Sequence, residues 1–149
     1  MRWRSQGFTL IELLVIIFVI GILFAVIITN VRGEIVSNQI RSATSQIALD
    51  LERVRGASIK TSKDSSFTLA NNGGGYDLRV SGVQSTDPVT SIAIPDNVIL
   101  QIGGSTVGSL TYGAPYGDLS ATNRTLTVSK SGGKTQIFYV VGVTGKVIR

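Results

Sequence analysis

GFTLIELLVIIFVIGILFAVII, residues 7–28, is an apolar run broken by a single acid, Glu12, and preceded by Arg2 and Arg4. At about 1.5 Å of rise per helical residue, Phe8 to Ile28 reaches roughly 30 Å, the thickness of a bilayer's hydrocarbon core. Two arginines ahead of such a run predict a cytoplasmic N-terminus with the rest of the chain outside. A cleaved secretory signal does not fit, because the run is too long and ends in IITNVR instead of a small-residue cleavage site. A plain anchor fits the hydropathy and leaves Glu12 without a purpose. An ionised carboxylate at depth costs on the order of 3 kcal/mol and is rarely idle.

Gly7-Phe8-Thr9-Leu10-Ile11-Glu12 resembles the prepilin signature of type IV pilins and type II secretion pseudopilins, a likeness that runs over residues 4–30. The resemblance implies that a dedicated prepilin peptidase/methyltransferase cuts after Gly7 and removes residues 1–7 as a leader. Phe8 then becomes the N-methylated first residue. Glu12 matches the glutamate that meets a neighbouring subunit's terminal amine in a fibre. Physical chemistry agrees with that role, since a buried acid is tolerable beside a cation and a free α-amine is cationic near neutral pH. The expected partners are other pilins or pseudopilins, an inner-membrane assembly platform and membrane lipid. The expected location is a single pass through the inner (cytoplasmic) membrane, with the C-terminal domain periplasmic or extracellular.

Composition narrows the chemistry. Of 149 residues none is cysteine and none histidine. Disulfides and thiolate metal sites are excluded, as are the commonest general base and pH switch. Many type IV pilins staple their C-terminal region with a disulfide, so by resemblance its absence leans toward a pseudopilin or minor pilin. Asp64, Asp77, Asp87, Asp96 and Asp118 fall mostly at expected turns, where capping accounts for them without catalysis. No stretch has the dense Asp/Asn spacing of a calcium loop. Neither a cofactor, a metal nor an enzymatic activity is expected.

The helix continues beyond the apolar run. Val36, Ile40, Ala43, Ile47, Leu51, Val54 and Ser58 recur at steps of three or four, one face of a helix, with Arg41, Asp50, Glu52, Arg53 and Arg55 mostly off that stripe. One helix from Phe8 to about Lys60 follows, on the order of 80 Å long. Gly21 and Gly56 read as points of close packing against a neighbour. After Thr61–Ser65 the pattern turns to strands. Phe67 and Leu69, then Tyr76, Leu78 and Val80, alternate around Asn71–Gly75, a hairpin whose glycines make a turn and not a phosphate cradle. Residues 89–94 and 97–102 read as a second strand pair, and Gly103–Asn123 as a long exposed connection rich in Gly, Ser and Thr. A final hairpin takes 124–129 and 135–143, with Ile137–Val141 apolar on both faces, followed by a turn at Thr144-Gly145. The fold expected is α+β and pilin-like, a long N-terminal helix packed on antiparallel sheet. Its parts are a leader (1–7), a membrane half-helix (8–30), an amphipathic half-helix (31–60) and a β domain (61–149).

Leu49–Lys60 and the ending Gly145-Lys146-Val147-Ile148-Arg149 are also similar to the GspH/FimT group of minor pseudopilins and minor pilins. Members act in type II secretion or as minor subunits of type IV pili, and some are linked to DNA uptake. That link gives the alternative function, a DNA-binding minor pilin in natural transformation. Charge supplies the candidate surface: from residue 124 onward the chain holds Arg124, Lys130, Lys134, Lys146 and Arg149 and no acid. Adjacent strand ends carrying them would give weak, salt-sensitive contact to an anion or nucleic acid. A solvated basic surface or a protein contact is the competing account.

Overall fold

In a computed structural model the structure describes residues 8–84, 86–94, 97–120, 122–130 and 134–148, with backbone alone over 26–32. Two compact units meet at the Ile35–Val36 bond, the second being Val36–Arg149. Helix α1 (Leu10–Thr61) contributes to both. It starts two residues after the expected position because Thr9 caps it, as described below.

In the first unit every side chain described from Phe8 to Ala25 is exposed. A helix that is apolar all round needs lipid or another chain to cover it. Among the described residues no helix is long and apolar enough to cross a membrane. The stretch expected to span runs on into residues 26–32, whose side chains lie outside the description.

Among the described residues of the second unit, nine strands form two antiparallel sheets. The first has the order β3-β2-β1-β5-β6, from β1 (Ser65–Ala70), β2 (Gly75–Arg79), β3 (Thr90–Ala93), β5 (Ser109–Gly113) and β6 (Asp118–Leu119). The second has the order β4-β7-β8-β9, from β4 (Val98–Ile102), β7 (Arg124–Lys130), β8 (Thr135–Val140) and β9 (Val147–Ile148). The helical stripe lies under both: Ile40, Ala43, Ile47, Leu51 and Val54 join Phe67, Tyr76, Leu110 and Tyr112 of one sheet and Leu100, Leu126, Phe138 and Val140 of the other in a single core. The stripe read from periodicity is therefore the buried face.

Three expectations need correction. Residues 89–94 and 97–102 do form strands, yet not a pair: β3 adds to β2 and β4 to β7. Alternation makes a strand without naming its partner. Gly103–Asn123 is not one long loop, for it contains β5 and β6, and Leu110, Tyr112 and Leu119 are core residues. Ile137–Val141 is covered on one face only. Phe138 and Val140 are buried, whereas Ile137 and Tyr139 are half exposed. At Gly21 and Gly56 an added Cβ would meet no described atom beyond the adjacent residues and the helix's own backbone, so any neighbour packed against them lies outside the described residues.

One turn does depend on glycine. The β1–β2 connection is a 3-10 turn (Asn71–Gly73) in which Gly73 has φ +87°, and a Cβ there would collide with the Leu100 carbonyl of β4. This close approach brings the edge of the second sheet against the first hairpin.

Asp50 departs from its expected place off the stripe. It is 5% exposed, and its Oδ2 accepts the Tyr76 hydroxyl at 2.7 Å and the Gln46 amide at 3.0 Å. Burial, then the hydrogen bond and charge of Asp50, push the Tyr76 hydroxyl above the ordinary tyrosine range. Burial likewise raises Tyr112, whose hydroxyl, with that of its cross-strand neighbour Ser65, finds no partner among the described residues. The two tyrosines should thus respond oppositely. Tyr76→Phe leaves a buried carboxylate short of a donor and is expected to cost about 1–3 kcal/mol, whereas Tyr112→Phe removes an unpaired hydroxyl and is expected to be neutral or stabilising. Denaturant titration of the full chain in detergent checks both. Since the unfolded tyrosines ionise first, near their ordinary value of 10.0, stability should hold below that pH and fall as pH rises beyond it.

Candidate functional site

The N-terminal motif is built on a helix cap. Thr9 stands just before Leu10, the first helical residue, and its Oγ1 accepts the Glu12 backbone N–H at 3.3 Å, while the Leu13 N–H reaches the Thr9 carbonyl at 3.2 Å. Thr9-Leu10-Ile11-Glu12 has the Thr-x-x-Glu spacing of a capping box. The motif's threonine therefore starts the helix, and its glutamate lies in the first turn, where the helix dipole favours a negative charge. Phe8, expected to become the new terminus, is 74% exposed and lies directly before the cap. Gly7, the expected cleavage residue, lies outside the described residues.

The basic residues nominated for anion or nucleic-acid contact do not gather in one place. Arg124 opens β7 opposite Val140, and Lys146 precedes β9, whose Val147 also faces Val140, so these two share one end of the sheet. Lys130 closes β7 and Lys134 precedes β8 at the other end, about 20 Å away along a seven-residue strand. Lys130 donates to Gln39 Oε1 at 2.8 Å. Arg149 lies outside the described residues. Helical Arg41, read from sequence as off the buried stripe, is exposed and lines a depression with Lys134. No local signal could pair residues 41 and 134; only the strand register does.

A second polar seam joins the helix to the strands. Glu52 Oε1 accepts the Val147 N–H of β9 at 3.1 Å, Glu52 Oε2 pairs with Arg55 at 3.4 Å, and Arg55 Nε donates to the Gly117 carbonyl at 3.3 Å. Of the aspartates expected to cap turns, Asp87 bonds locally, its Oδ2 accepting the Gln84 N–H at 2.8 Å, whereas Asp64 Oδ1 accepts the N–H of the sequence-distant Ala114 at 2.9 Å. Among the described residues no three acidic side chains gather as a metal site would need.

Residues 4–28 match the family described as the prokaryotic N-terminal methylation motif. No curated protein matches the chain. Two crystal structures of the type IV minor pilin FimU from Pseudomonas aeruginosa (strain PAO1) resemble the fold. One, in space group P21, has a TM-score of 0.60 at 17% identity, covering 75% of this chain and 88% of FimU. The other, in space group P65, has a TM-score of 0.57 at 16% identity, covering 72% and 90%. The chain thus carries the N-terminal methylation motif of prepilin-like proteins on a type IV pilin-like fold.

The cap is testable apart from any assembly role. Thr9→Val should destabilise the first helical turn by about 1 kcal/mol. Amide exchange at Glu12 and Leu13 should accelerate about fivefold, with the core of the second unit unchanged.

Proposed function

We propose that this chain is a minor pilin or pseudopilin, a structural subunit of a type IV pilus or a type II secretion pseudopilus, of the GspH/FimT type. The single observation that carries the reading is that the methylation motif opens the same helix, α1, whose later turns form the core of a pilin-like domain. Prepilin peptidase removes residues 1–7 by cutting after Gly7, and Phe8 is N-methylated. Residues 8–30 hold the subunit in the inner membrane before an assembly platform draws it into the fibre. Residues 31–60 continue the helix into the β domain. Glu12 meets the terminal amine of a neighbouring subunit, exchanging lipid for a cation. Among the described residues no cation lies within ion-pair distance of the Glu12 carboxylate, which supports a partner supplied from outside the chain.

A role in DNA uptake would draw on Arg124, Lys130, Lys134, Lys146 and Arg149. The distance between the Arg124–Lys146 and Lys130–Lys134 ends of the sheet gives it no continuous track, and the structural role is preferred.

Mass spectrometry of the protein from its own cells should find a chain beginning at N-methyl-Phe8. Glu12→Ala should leave membrane insertion intact and reduce the amount recovered in sheared fibres by an order of magnitude or more. Intact Met1 with unmodified Phe8, or normal incorporation of Glu12→Ala, would count against the reading.

A further inference from the structure

The depression beside Arg41 has about 220 Å³ of room and is lined by Ser37, Ile40, Arg41, Lys134, Thr135 and Gln136. Helix and sheet build it jointly within the second unit. Ser37 and Arg41 are one helical turn apart, i and i+4, and so share a face of α1. Gln136 pairs with Val128 in the β7–β8 register, on the side of the sheet that faces the helix, and Lys134 and Thr135 lead into β8.

The lining is rich in donors. Arg41 offers a planar fork, Lys134 an ammonium, Ser37 and Thr135 hydroxyls and Gln136 an amide, with no acid among them. Both cations are exposed, and neither has a carboxylate within ion-pair distance among the described residues. Ser37 is the most buried of these donors. It is 6% exposed and lines the depression one helical turn before Arg41. Lys130, bonded to Gln39 at the same end of the sheet, adds positive charge without blocking the site.

We propose that this depression binds a single phosphate group, with Arg41 and Lys134 neutralising the charge and Ser37, Thr135 and Gln136 donating to the remaining oxygens. Guanidinium and ammonium donors to a phosphate oxygen are the strong, charge-assisted kind. Size and isolation select one group over a polymer. Nucleic acid needs cations that follow the backbone, and the next pair, Arg124 and Lys146, stands at the far end of the sheet. The phosphate can come from a lipid headgroup or from solution. Only the lipid source rests on the membrane reading above; the anion chemistry rests on the depression itself.

The test uses the full chain in micelles of an uncharged detergent, at constant ionic strength, followed by NMR. Inorganic phosphate and short-chain phosphatidylglycerol are titrated separately. Saturable shifts confined to Ser37, Arg41 and residues 134–136 are expected, and Arg41→Gln or Lys134→Gln should each weaken binding about tenfold, the loss of one charge-assisted hydrogen bond. Both residues are exposed, so the amide spectrum of the core should persist in the variants. Arg124→Gln should change nothing. Tighter binding of the lipid than of phosphate assigns the headgroup, and equal binding assigns free phosphate. The proposal is overturned by the absence of saturation, or by wild-type affinity in the Arg41→Gln/Lys134→Gln double variant. It is overturned equally if a short DNA duplex binds more tightly than either probe and Arg124→Gln weakens it, because that requires a track along the sheet.

Discussion

The second unit stands on the burial of one helical stripe, Ile40, Ala43, Ile47, Leu51 and Val54, beneath two sheets at once. Each sheet is a single layer with one apolar face, and a layer of that kind is stable only against another. Take the helix away and Phe67, Leu110 and Tyr112 on one side, and Leu126, Phe138 and Val140 on the other, lose their common cover. The later turns of α1 are thus the interior of the domain. Polar contacts along the same helix fix where each sheet sits: Gln39 to Lys130, Asp50 to Tyr76, Glu52 to Val147, Arg55 to Gly117.

The helix and the first hairpin were legible because their information is local. A step of three or four residues, or strict alternation around Asn71–Gly75, depends on no distant partner. The division into two sheets was not legible. Thr90–Ala93 and Val98–Ile102 would alternate in the same way whichever strand they joined. β5 was hidden by composition, since Gly, Ser and Thr on its outer face disguise the inward pair Leu110 and Tyr112. Asp50 misled for a related reason: an acid beside a buried stripe is assumed to face water unless a donor such as Tyr76 is known to lie opposite. The N-terminal motif is a contiguous string and could be read directly. The Arg41–Lys134 juxtaposition spans 93 positions of chain and could not.

The first unit poses a different physical demand. From Phe8 to Ala25 the helix offers apolar side chains in every direction, so its stability in isolation is limited by what covers it. At its start, the Thr9 hydroxyl satisfies the amide of Glu12, and among the described residues the carboxylate makes no ion pair. A negative charge there is stabilised by the helix itself. The local structure and the proposed pairing with an amine therefore ask for the same residue at the same place, and agreement between levels is what makes a short motif informative.

The bond from Glu52 to the Val147 amide bears on mechanics. β9 is only two residues long, and against β8 alone it would peel away one pair at a time under tension. Anchored to a carboxylate on the helix, β9 is held by α1 as well as by β8, so its release requires breaking contacts to both.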